Sequence, residues 1–285
     1  MCIRDSTRTG ALQSSSESDE PNASLAEMDS GRKDSIVTIA AVGLLAYLLA
    51  DITHHAFGHG AACLGLGGRV TSLSSSYVDC SLRGAAIDLA GPLANLVIGV
   101  VAVLAARLVA RASSATRLFC VLAAAFNLFW FALQLAFSAA TRTDDWAWAM
   151  HQFHVTEPIR YTMIAIGALL YIWTVRVSAI QMAPFARPRT RAARIVLTSW
   201  LTAGAIACST AALDKSAGAT LLRHVLEQSL GLSIGLLFVP LRAAALSSID
   251  RVEGVVAFSV PWVVAAAIAG AGSILFLGPG FAIAI

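Results

Sequence analysis

Apolar runs of about 20 residues recur along most of this chain, and each is long enough to cross a bilayer as a helix. Hydrocarbon offers the backbone no hydrogen-bond partner, so each run must satisfy its own N–H and C=O groups internally, as a helix does. The first run extends from Ile36 to about Gly65, and further candidates lie at about 84–110, 116–140, 158–182, 193–213, 225–246 and 255–276. The segment near 225 is the weakest, because Arg223, His224 and Glu227 stand at its start. It could be interfacial or re-entrant instead of spanning. Composition agrees: 57% of residues are hydrophobic and only 13% charged, against roughly 25% charged in a soluble domain. The expected fold is an all-α polytopic membrane protein of about six to seven transmembrane helices, an integral multi-pass protein whose first partner is the lipid bilayer.

The remaining sequence is punctuation. Residues 1–34 are polar, Ser-rich and without apolar periodicity, so a disordered tail is expected there. Its opening, Met1 to Ser6, reads as a translated sequencing adapter and carries no functional weight. Gly67-Gly68 ends the first run, and Arg69 to Arg83 then alternates β-branched, aromatic and small polar residues. That pattern predicts short strands or a hairpin. The five cysteines form no C-x-x-C pair, so no disulfide framework is expected and Cys80 reads as an unpaired loop thiol.

Charge gives orientation. Fourteen Lys and Arg fall on the side of the N-terminal tail and six on the other. By the positive-inside rule the tail is cytoplasmic, which puts the C-terminal end of the first span on the opposite side. The net charge of +3 is small and scattered over loops, so nucleic-acid binding has no support.

That C-terminal end carries His55-Ala56-Phe57-Gly58-His59. On an α-helix, histidines at i and i+4 share a face and can grip one metal ion. Ionisable groups within membrane segments are costly and are functional candidates by default. Asp88 is one such group, Asn95 and Asn127 are neutral polar residues within the spans, and Asp144-Asp145-Trp146 follows the third span. The first and third spans run in the same direction, so their ends meet the same membrane face. An aspartate brought to two histidines completes a His₂-carboxylate zinc site with one open position. Asp88 and Asn95 are seven residues apart and share a face of the second helix.

These residues resemble the site-2 protease family of intramembrane zinc metalloproteases. His55-x-Phe57-Gly58-His59 is similar to its H-E-F-G-H, Ala90 to Asn95 looks like its A-G-P-L-A-N helix, and Phe137-Ser138 through Asp145-Trp146-Ala147 resembles a form of its aspartate region. The resemblance covers about residues 36–150, a core of three helices at 35–150, with additional helices at 151–285. It implies Zn²⁺ held by His55, His59 and Asp145, with Asp144 the other choice for the third ligand. It also implies Asn95 facing substrate or an oxyanion, and a cavity opening toward the cytoplasm, against the charge count.

The resemblance also identifies a loss. Ala56 stands where the family carries its catalytic glutamate. With His55 at 0° and His59 at about 40° on an α-helical wheel, Asp51 lies at about −40° on the ligand face and His54 at about −100°, well off it. Asp51 is therefore expected as a substitute base, an alternative ligand or a partner that orients a histidine. Three functions remain open: a metalloprotease acting on membrane-embedded substrates, weakened or inactive for want of the glutamate; a pseudoprotease that binds transmembrane partners; and a small transporter or channel lined by His and Asp.

Overall fold

The computed structural model describes residues 33–109, 112–214, 230–246 and 253–282. Residues 1–32 of the expected disordered tail, with Cys2, and also Arg111, Lys215, the polar start of the weak segment near 225, and Arg251 lie outside the described residues; Asp34, expected at the end of that tail, is described and pairs with Arg191. Among the described residues six helices are long and apolar enough to cross a membrane, at Ile36–Gly65, Ala85–Leu108, Ser114–Thr141, Glu157–Phe185, Arg189–Ala211 and Val260–Leu277, and a shorter apolar helix covers Ile234–Leu246.

The first span is not a uniform helix. α1 (Ile36–Ile52) starts where the Ser35 side chain accepts from the Thr38 amide, and it passes directly into a π-helical segment, Thr53–Gly60, and then α2 (Ala61–Gly65). Gly67, at φ 82°, turns the chain in a conformation that favours glycine. The hairpin expected between Arg69 and Arg83 is present as β1 (Val70–Leu73) and β2 (Val78–Cys80), paired antiparallel. α3 (Ala85–Leu108) and α4 (Ser114–Thr141) follow. α4 is the centre of the bundle, packed by α1, α3 and, from later in the chain, α6. Its whole middle is buried, from Val121 to Ala132.

α4 ends at Arg142, whose φ of 59° is the left-handed conformation that commonly closes a helix. Asp144 also has positive φ, 73°, which aspartate tolerates better than most residues. The two together fold α5 (Asp144–Gln152) back beneath the end of α4. α6 (Glu157–Met182), α7 (Arg189–Ala211), α8 (Val239–Leu246) and α9 (Val260–Gly272) are the later α-helices among the described residues, with β3 (Phe281–Ala282) at the end of the described chain. β3 adds to β1, so the sheet order is β2-β1-β3. The sequence pattern anticipated the hairpin and not this third strand.

The hydrogen bonds define two faces. On one, Arg191 pairs with Asp34 at 2.7 Å and donates to the carbonyls of Glu253 and Gly254, Arg117 pairs with Glu253, and the Glu253 amide donates to the Pro184 carbonyl. The starts of α1, α4 and α7 and the approach to α9 therefore meet there. On the other face, Ser75 donates to the Leu277 carbonyl and β1 pairs β3. Thus α9 runs parallel to α1. A Cβ on Gly278 would lie 3.1 Å from the Thr210 carbonyl, so the end of α7 is on the hairpin face as well. Between Asp214 and Glu253 the described residues are 230–246, where α8 packs on α6 and α7.

One expectation fails outright. Cys63 and Cys80 are disulfide-bonded, with Cα atoms 5.9 Å apart. The hairpin carries Cys80 back over the end of the first span, a fold-level contact that a 17-residue spacing without C-x-x-C does not advertise. Gly68 makes room, since a Cβ there would sit 2.9 Å from both sulfurs.

Candidate metal centre

Within the π segment, hydrogen bonds run from i to i+5 instead of i+4. Residues five apart then stack as residues four apart do in an α-helix. His54 and His59 are five apart, and they, not His55 and His59, are the histidines that meet Asp145. His54 Nε2 lies 3.0 Å and His59 Nε2 3.2 Å from the same atom, Asp145 Oδ2, and the two Nε2 atoms are 3.2 Å apart. All three side chains are buried.

Each ring is locked by an oxygen behind it. His59 Nδ1 donates to the Ile87 carbonyl at 2.7 Å. His54 Nδ1 faces Asn95 Oδ1 at 2.8 Å. The orientation of the Asn95 amide follows from its other bonds: Nδ2 donates to the Ala50 carbonyl at 3.0 Å and to Asn127 Oδ1 at 2.9 Å, while Asn127 Nδ2 donates to the Ala123 carbonyl. Asn95 Oδ1 is therefore an acceptor, and His54 Nδ1 carries a proton. Both histidines thus turn an Nε2 lone pair toward Asp145. This is the arrangement in which outer partners fix the tautomer of metal-binding histidines.

The aspartate is positioned from α4. Gln134 Nε2 donates to Asp145 Oδ2 at 2.9 Å and to Asp144 Oδ2 at 3.1 Å, and Asp144 Oδ1 accepts from the Asp145 amide. Asn127, Trp130 and Gln134 form one stripe of α4 at helical spacing. Trp130 stacks on His54 with ring centroids 5.0 Å apart.

α3 reaches the ligands through Gly91. A Cβ there would lie 2.4 Å from His59 Nε2 and 2.9 Å from His54 Cε1, and a Cβ on Gly58 would lie 2.4 Å from the Gly91 Cα. The two glycines let the π segment and α3 touch backbone to backbone. Gly91 and Asn95 are four apart, so one face of α3 supplies both the clearance and the acceptor.

The donor set fits a cation. Ligand atoms about 2.0–2.1 Å from a tetrahedral centre lie about 3.3 Å from one another. The observed separations, 3.0, 3.2 and 3.2 Å, are close to that. Two Nε2 lone pairs and a carboxylate oxygen facing one point form a group of acceptors whose centre a cation would satisfy. The fourth side is open to a cavity of about 340 Å³ lined by His55, the strand residues Val78 to Cys80, Asp88, Asp144 and Trp148, among others.

The other sequence-derived candidates lie as follows. His55 is buried beside the pair, and its Nδ1 donates to the Asp51 carbonyl at 3.1 Å, with Asp51 Oδ1 3.4 Å from the same nitrogen. Asp51 is behind His55, outside the lining of the cavity. Asn95 backs a histidine and does not line the cavity. Ala56 lines a separate cavity with Gly67, Gly68 and Arg69. Asp88 accepts from Gln152 at 2.7 Å at the rim. Asp145, not Asp144, is the carboxylate that both histidines meet. His54 and Gln134 are the participants that sequence reasoning missed.

No protein-family model matches this chain, and no curated protein or solved structure is significantly similar to it.

Proposed function

We propose that this chain is a membrane-embedded, zinc-dependent hydrolase of peptide bonds in membrane-embedded substrates, distantly related to the site-2 proteases, with His54, His59 and Asp145 holding the ion. The observation that carries the reading is the pair of buried imidazoles whose Nδ1 protons are committed to Asn95 and Ile87 and whose Nε2 atoms converge on one carboxylate oxygen. Two histidines, one carboxylate and an open side toward a cavity are the donor set of a catalytic zinc site. When bound, the ion supplies Lewis acidity that polarises a carbonyl and acidifies water.

The chain's own residues supply the rest. With His54 as the first ligand, the residue that follows it is His55, so the position occupied by glutamate in H-E-x-x-H falls to a histidine and not to Ala56. His55 Nδ1 donates to the Asp51 carbonyl, leaving Nε2 as a proton acceptor at the cavity. It takes the proton of a water that attacks the peptide carbonyl and returns it to the leaving amine. Asp51 is then the residue that orients the base.

A second reading, a pseudoprotease that keeps the fold and binds transmembrane segments, draws support from one feature: no glutamate is among the described residues lining the cavity. One experiment separates the two. Purified protein supplied with zinc is assayed for bound metal and for cleavage of model transmembrane peptides. About one zinc per chain with cleavage that is lost in His55→Ala supports the hydrolase. Zinc without cleavage of any peptide, or no zinc in folded protein, ends the hydrolase reading and leaves the binding protein.

A further inference from the structure

The wall of the metal cavity is crosslinked to the helix that carries the histidines. Cys63 lies in α2, directly after the π segment, and Cys80 ends β2 and lines the cavity. Their disulfide ties the two together, and Cys63 is fully buried. Disulfides form and persist in oxidising compartments, whereas cytosolic thiols are kept reduced. A brace at this position is therefore informative about which side of the membrane the cavity faces.

Charge bears on the same question independently. The face opposite the cavity gathers Arg107, Arg117, Arg187, Arg189, Arg191 and Arg194 at the ends of its spans. Arg117 and Arg191 bind together the start of α1, the start of α4 and the approach to α9. The loops and span ends on the cavity face carry fewer cations. Arginine-rich short loops face the cytoplasm. A count of cations and the redox chemistry of a cysteine pair share no premise, and they select the same orientation.

We propose that the metal cavity opens on the oxidising, non-cytoplasmic side of the membrane, with Cys63–Cys80 as a standing brace between the ligand helix and the cavity wall. The sidedness stands on its own. Resting on the hydrolase reading, it also assigns the substrate class: the non-cytoplasmic ends of membrane-embedded polypeptides, approached from that side.

The test reads topology and thiols, with no activity measurement. The full chain is expressed in the inner membrane of a bacterial host with Cys2, Cys120 and Cys208 replaced by Ala. Phe153→Cys, an exposed position on the cavity face, and Ala112→Cys, an exposed position on the opposite face, are labelled in turn with a membrane-impermeant maleimide. Phe153→Cys should label in intact cells and Ala112→Cys only after permeabilisation. In the unreduced parent protein Cys63 and Cys80 should resist alkylation after denaturation, and both should label once reduced. The reverse labelling pattern, or free thiols at Cys63 and Cys80 in the membrane-inserted protein, overturns the proposal. Neither result depends on whether any peptide is cleaved.

Discussion

His54 Nδ1 lies 2.8 Å from Asn95 Oδ1, and this contact between the first span and α3 sets the chemistry of the opposite ring nitrogen. Because both amide protons of Asn95 are spent on Ala50 and Asn127, its oxygen can only accept, so His54 must present Nε2 as a lone pair. Outer partners of this kind are worth about 10–100-fold in metal affinity. Asn95→Leu should accordingly weaken zinc binding by about 10–100-fold, read by competition with a chromophoric chelator. Asn95→Asp, which keeps an acceptor, should retain most of the affinity. Equal affinities for all three proteins would mean that Asn95 does not set the tautomer.

The π segment brings His54, and not His55, to Asp145. His54→Ala and His59→Ala should each abolish stoichiometric zinc, whereas His55→Ala should still bind about one ion per chain, as measured by metal analysis of the folded protein. The opposite ranking of His54 and His55 would restore the α-helical register.

Much of this architecture was legible in advance, and the failures share a cause. The spans, the hairpin after the first of them, and the meeting of the first and third spans at one face follow from apolar length and parity, which do not depend on local helix type. Asn95 and Asp145 were marked by motifs that resemble a family's, although Asn95 faces His54 and not the cavity where a substrate was expected. His54 was not, because wheel angles assume about 100° per residue and a single π turn shifts every later residue; nothing in Thr53–Gly60 signals that change. Gln134 carries no signal in the sequence, because its role depends on α5 folding back beneath it. The Cys63–Cys80 bond and β3 depend on where distant segments return, which spacing alone does not encode.

Close approach at the glycines should be measurable as stability. Gly58→Ala would place its Cβ 2.4 Å from the Gly91 Cα and 2.8 Å from the Ala90 carbonyl. Backbone cannot swing aside as a side chain can, so the helices must separate, at a cost of about 1–3 kcal/mol typical of overpacking. Gly65→Ala, with open space around it, is the control. Thermal unfolding in detergent should show a lower midpoint for Gly58→Ala alone. A midpoint equal to the control's would mean that α3 is not seated against the π segment.

The arginine face should show its own pH dependence. Burial tends to raise the Asp34 pKa, but its hydrogen bonds from Arg191 and Val256 and the Arg191 charge together lower it. A carboxyl depressed in the folded state contributes stability above its unfolded pKa of about 4 and loses it as pH falls through the folded value. Asp34→Asn should therefore be less stable than wild type at about pH 7, and the difference should shrink below about pH 4. Thermal midpoints measured across that range check this; a constant difference would show that the ion pair is not responsible.

The missing glutamate gives the sharpest test, because the two helical registers predict opposite results. In an α-helical register Ala56 follows the first ligand, and Ala56→Glu should restore the base. In the structure Ala56 lines the cavity beside Gly67, Gly68 and Arg69, away from the ligands, and His55 is the residue that follows the first ligand. Ala56→Glu should then leave zinc content and cleavage unchanged. His55→Ala should lower cleavage by about 10²–10⁴-fold, the usual contribution of a general base, with zinc retained. His55→Glu should recover much of that loss, since a carboxylate placed one residue after the first ligand serves the same purpose. Cleavage of a model transmembrane peptide by the three variants, each normalised to bound zinc, provides the measurement. A gain in Ala56→Glu, with His55→Ala unaffected, would mean that the working site uses His55 as a ligand and the π register is not the active one.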